Sequence, residues 1–147
     1  MYSALLFLHS WLRWLAVGSL VFVLYRAVRG LRAGTPWTGD DSTWIKGAAH
    51  AMTAQLVIGV LLYATSPVMR TLLDQMGPTL HDRGARLLAI EHPIAMTVAV
   101  GLTHMGSAIA RKGATDGAKH KRAAIFTAIT LAVILAGIPW GRPLFRF

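Results

Sequence analysis

The sequence predicts an all-α integral membrane protein, an antiparallel four-helix bundle forming a single domain over residues 1–147. Three observations carry this. Hydrophobic residues make up 54% of the chain and charged residues 14%, with a mean hydropathy of +0.51, far more apolar than a soluble domain. Four stretches, roughly 2–28, 44–65, 86–110 and 122–140, are long enough to cross a bilayer, which takes about 20 mostly apolar residues. Lipid offers no partner to a free backbone amide, so each must be a helix or part of a closed barrel. The runs are too long and too continuously apolar for barrel strands.

The first span carries His9 and Arg13. A cleavable signal peptide is not expected, because the apolar run continues to about Val28, contains Arg13 and has no basic region before it. "RGLRAGTPWTGDDS" then reads as a polar linker. The second span carries His50, Thr53, Gln55 and Tyr63. Between spans two and three, Val68, Met69, Leu72, Leu73 and Met76 share one helical face before a "GP" breaker at Gly77 and Pro78, which predicts a short interfacial helix. The third span carries Glu91, His92, Pro93, Met96 and His104. "RKGATDGAKHKR" reads as a basic loop, and the fourth span has no histidine. His81, beside Asp82, and His120, in the basic loop, are expected to lie in water.

The net charge of +9 does not point to nucleic acid, because the Lys and Arg residues cluster between apolar runs rather than along one face with stacking aromatics. The lipid bilayer is the expected partner. Arg26, Arg29, Arg32 and Lys46 flank the first loop, and Arg111, Lys112, Lys119, Lys121 and Arg122 the third, against Arg70, Arg83 and Arg86 in the second. The positive-inside rule therefore puts the first and third loops in the cytoplasm and both termini outside, with Trp11, Trp14, Trp44 and Trp140 as interfacial anchors. The chain has no cysteine, which excludes disulfides, thiolate metal sites and thiol nucleophiles. No catalytic triad, phosphate loop or metalloprotease motif is present, so an electron-carrier subunit is favoured over a free-standing enzyme.

Applied to that topology, the histidines sort into two levels. His9 and His92 each lie about two turns from the outer surface, and His50 and His104 about two turns from the inner one. Neutral imidazole is the usual axial ligand of haem iron, and a bis-histidine b-type haem needs two of them on facing helices. His9 with His92 is the first choice, on diagonal helices. His50 with His104 is a second, weaker pair on neighbouring helices. His92 and His104 are twelve residues apart, which turns them about 120° around the helix, so both cannot face one central stack. Arg13 and Glu91 belong to the outer level. They are read either as an ion pair or as a propionate-binding arginine beside a carboxylate that orients a ligand, relays a proton or marks a quinol site.

"LHSWLRW", "AAHAMTAQLVIGVLLY", "IEHPIAMTVAVGLTHMG" and the closing "AGIPW" together cover most of the chain, and they resemble a family of small four-helix bacterial membrane proteins labelled cytochrome b-like. The resemblance implies a multi-pass protein of the bacterial inner membrane, with periplasmic termini, holding one haem b or two. His9, His50, His92 and His104 would be its cofactor positions. Larger cytochromes b space the helix-three histidines more widely and have histidine in helix four, which this chain does not. Three readings stand open: a haem electron carrier working with other membrane redox subunits or quinol, a haem-free accessory subunit, and a copper or proton pathway using the histidines with Met52, Met96 and Met105.

Overall fold

The computed structural model describes residues 1–141; the part of the single-domain expectation that covers 142–147 lies outside the described residues. Four long helices are apolar enough to cross a membrane: α1 (Tyr2–Ala33), α2 (Gly39–Thr65), a third span over Arg83–Arg111, and α7 (Asp116–Gly137). The third span is composite, running from α5 (Arg83–Arg86) through a π-helical turn at Leu87–Glu91 into α6 (His92–Arg111). Each long helix packs against its two neighbours around a square, so that α1 and α6 face each other across a diagonal, as the antiparallel bundle requires.

The interior is built from small side chains. Ala16, Ala27, Ala48, Ala99, Ala110 and Ala123 are buried, and a Cβ on Gly106 would stand 2.5 Å from the Phe126 Cβ. Lipid tails are as apolar as leucine, so helices in a bilayer gain little from hiding oil and much from close backbone approach. Large residues point outward accordingly: Leu15, Tyr25, Val57, Val60 and Ile94 are exposed.

The helices run further than hydropathy alone marks. α1 continues through the basic "RGLRA" to Ala33 and stops at Gly34, whose φ of 63° is open to glycine with little strain. α2 begins at Gly39 because Thr38 and Asp41 form a reciprocal capping box, which satisfies two orphan donors. Asp41 also pairs with Arg26 of α1 at 2.8 Å, tying the first two spans together. At the other turn Thr115 caps α7 by accepting from the Ala118 amide. The expected linkers therefore shrink to 34–38 and 112–115.

The middle connection holds the expected short helix, α3 (Pro67–Asp74), followed by α4 (Met76–His81). Gly77 and Pro78 do not break the helix; they sit in the first turn of α4, where the missing proline N–H costs nothing. The break falls at Gln75 instead. The Thr79 hydroxyl donates to the Leu72 carbonyl at 2.7 Å and clamps the two short helices.

Pro93 shapes the third span. It has no N–H to give the Ala89 carbonyl, and its ring crowds that residue. The backbone widens to a π turn over Leu87–Glu91 just before it. The Tyr63 hydroxyl of α2 donates to the released Ala89 carbonyl at 3.0 Å. Tyr63→Phe should leave that carbonyl unsatisfied and cost about 1–3 kcal/mol, seen as a lower thermal midpoint in detergent; an unchanged midpoint would mean that another donor serves Ala89.

Candidate functional site

A cavity of about 310 Å³ opens into the half of the bundle that holds the start of α1, within the size range of small-molecule and cofactor pockets. All four spans line it. His9 and Arg13 enter from α1, Gln55 and Gly59 from α2, His92 and Met96 from α6, and Ile134 from α7, while Met69 of α3 forms part of the roof. Val60 is exposed and so is Thr97; both also line the cavity, which therefore opens sideways between α2 and α6.

His9 and His92 meet across this space, with ring centres 6.4 Å apart and planes at 79°. Two imidazoles binding one metal from opposite sides hold their centres about 6.4–6.6 Å apart, given metal–nitrogen bonds of about 2.0–2.1 Å and roughly 1.2 Å from nitrogen to ring centre. Among the described residues no hydrogen bond joins the two rings.

The surroundings hold each ring from behind. His92 Nδ1 lies 2.8 Å from the Gly137 carbonyl oxygen, one of the last four carbonyls of α7, which have no partner within the helix. A carbonyl can only accept, so Nδ1 carries the proton and Nε2 keeps its lone pair. α7 comes this close because Gly137 has no side chain; a Cβ there would be 2.7 Å from the Ala95 Cβ. His9 rests over Gly59, where a Cβ would stand 3.1 Å from its Cε1. The Gln55 amide donates to the His9 backbone carbonyl at 3.0 Å and lies 3.2 Å from its Nε2. His9 Nδ1 and Gln55 Oε1 are left buried with no partner.

Arg13 lies one turn below His9 and lines the cavity, its guanidinium 5.4 Å from the centre of the Trp14 ring. Glu91 corrects the sequence reading. Its carboxylate is exposed and accepts from Arg86 Nε at 2.8 Å, so it pairs within its own span rather than with Arg13. The group that orients His92 is the Gly137 carbonyl, not Glu91. The physical reason is reach: Arg86 lies five residues back on the same helix, across a π turn whose wider winding brings the two side chains together.

His50 and His104 form a second pair, toward the opposite end of the bundle. They too lie 6.4 Å apart, with planes at 78°, but both are exposed on the flank of the bundle. The 120° turn between His92 and His104 has this result, one ring facing the cavity and the other the outside. His104 Nε2 lies 2.8 Å from the Thr53 hydroxyl.

His120 departs from expectation. It is only 2% exposed, and its ring sits on the backbone of Gly30, 5.1 Å from the Trp37 ring. The extension of α7 back to Asp116 carries it into the core. His81 is exposed, as expected.

Among the described residues no group of three or more His, Asp or Glu side chains gathers as a metal site. The methionines of the copper reading do not converge either: Met52 and Met96 line the cavity, whereas Met105 is exposed. Comparison with protein-family models, curated proteins and solved structures finds no match to this chain.

Proposed function

We propose that this chain is a membrane-embedded b-type haem electron carrier, a subunit of a respiratory or quinol-linked assembly in the bacterial inner membrane, with both termini periplasmic. One observation carries the reading: His9 and His92, from diagonal helices, face each other at 6.4 Å across an apolar cavity of about 310 Å³. A bare ion with only two protein ligands is poorly held. A macrocycle that brings four donors of its own needs two more, one from each side.

The donor chemistry fits at His92, which presents a lone pair on Nε2 because Gly137 holds its Nδ1 proton. His9 Nε2 accepts from the Gln55 amide, which leaves the proton on the unpartnered Nδ1, so His9 would offer Nε2 to a metal once that contact is exchanged. Gly59 lets the His9 ring pack against α2 and Gly137 lets α7 close on α6, and Arg13 would give a propionate two parallel hydrogen bonds. The group supplies reversible one-electron chemistry. His9 and His92 would hold the group, and the apolar wall around them would tune its potential.

The test is a visible spectrum of the full chain purified without a histidine tag from haem-replete cells. Dithionite should give the sharp paired bands of six-coordinate b haem. A colourless protein overturns the reading and leaves the accessory-subunit role in its place.

A further inference from the structure

The two histidines of the cavity are not held alike. His92 is fixed from behind: its Nδ1 donates to the Gly137 carbonyl at 2.8 Å, and among the described residues no hydrogen bond engages its Nε2. That anchor orients the ring and raises its basicity, so His92 can bind a metal without giving anything up. His9 is held from the front. The nitrogen it would offer, Nε2, already lies 3.2 Å from the Gln55 amide nitrogen, while Nδ1 is buried with no partner to orient the ring.

Gln55 is itself fixed in that role. Its amide nitrogen also donates to the His9 backbone carbonyl at 3.0 Å. A carbonyl can only accept, so the NH2 end of the side chain, not its oxygen, faces the ring. Gly59, about one turn further along α2, is the shelf on which the ring lies: a Cβ there would stand 3.1 Å from His9 Cε1. His9 therefore has a seat away from any metal, made of a hydrogen bond and a bare stretch of backbone. Among the described residues His92 Nε2 has no such alternative.

We infer that His9 is the exchangeable member of the pair, and that a small neutral diatomic molecule, for which carbon monoxide is the probe, takes its place. This rests on reading the His9–His92 cavity as a porphyrin site. With carbon monoxide the exchange moves no electron and no proton. The bond from His9 Nε2 to iron breaks, the carbon lone pair of the incoming molecule makes the new one, and His9 Nε2 accepts again from Gln55. Such a molecule dissolves readily in hydrocarbon, and the cavity opens sideways between α2 and α6, past the exposed Val60 and Thr97, so the route in crosses no water.

The experiment titrates carbon monoxide into the dithionite-reduced full-length protein, purified with its haem, and follows the visible spectrum. The six-coordinate bands should give way to those of the carbonyl form. Gln55→Leu removes the donor that competes for His9 and should lower the affinity for carbon monoxide roughly 2–10-fold, the factor carried by one ordinary hydrogen bond. His9→Ala should keep its haem on His92, show a five-coordinate reduced spectrum and bind carbon monoxide more tightly than the parent. Where His9→Ala fails to accumulate, the Gln55→Leu shift decides alone. A parent protein that holds six-coordinate haem and ignores saturating carbon monoxide overturns this inference and leaves the haem reading standing. Undiminished affinity in Gln55→Leu does the same. Loss of haem from His9→Ala while His92→Ala retains it reverses the roles of the two rings and overturns it as well. A colourless parent overturns both readings.

Discussion

Replacing His92 with alanine should abolish the haem binding proposed for the His9–His92 cavity. Groups that only orient a metal ligand typically contribute 10–100-fold to affinity, so removal of the ligand itself should exceed 100-fold and empty the site during purification. The bundle should survive, because His92 is only partly buried and its one hydrogen bond goes to a carbonyl at the end of α7. The substitution also opens a space beside the cavity the size of the lost ring. Imidazole added at millimolar concentration should enter it and restore the six-coordinate spectrum on reconstitution with haemin. A variant that keeps its full haem spectrum without imidazole would show that His92 is not a ligand. Loss of colour together with loss of helical circular dichroism would instead assign His92 to the fold.

Much of this arrangement was legible because a bilayer simplifies the problem. A span must be helical, so depth follows from residue number at about 1.5 Å per residue. Four histidines counted from alternating ends fall into two levels, and the structure pairs them within each level. The rotation of about 120° between His92 and His104 was equally readable, and in the structure His92 lines the cavity while His104 is exposed on the flank. What hydropathy could not reach were the helix ends. Arg29 and Arg32 look like linker, yet they continue α1, because charged side chains on a helix can extend beyond the apolar layer without breaking it. The signals that do set those ends, the Thr38–Asp41 box and the Thr115 cap, are local and were present in the sequence.

Partner choice among charges was the least legible. Glu91 and Arg13 share a level, but level does not fix azimuth, and the π turn before Pro93 shifts every residue in it by part of a turn. His120 fails for a related reason. It stands among Lys119, Lys121 and Arg122, which reads as solvated, although in a helix only some of four successive residues face outward. Gly30, the second residue of the expected first linker, was the available clue that something bulky crosses there.

Gly30 should accordingly be among the least tolerant positions outside the cavity. A Cβ placed on it would lie 2.3 Å from His120 Cε1 and 2.6 Å from both ring nitrogens, nearer than non-bonded atoms come. The imidazole has little room to retreat. It is 2% exposed and faces the Trp37 ring, which is itself anchored by a 2.7 Å hydrogen bond from its Nε1 to the Ser42 hydroxyl. Relief must come from α1 and α7 moving apart, which would strain the loop between α1 and α2. Gly30→Ala should therefore cost about 1–3 kcal/mol, the usual range for overpacking a tight core, and lower the thermal midpoint by several degrees. Adding His120→Ala to it should recover most of that loss, because the second truncation removes the atoms the new methyl meets. Such recovery is the mark of direct coupling, whereas independent sites would add their costs. The His9–His92 cavity lies at the other end of the bundle, so the spectrum of the proposed haem should be the same in all these variants. Simple additivity of the two substitutions would sink the contact as the cause, and a normal midpoint for Gly30→Ala would show that the helices separate at no cost.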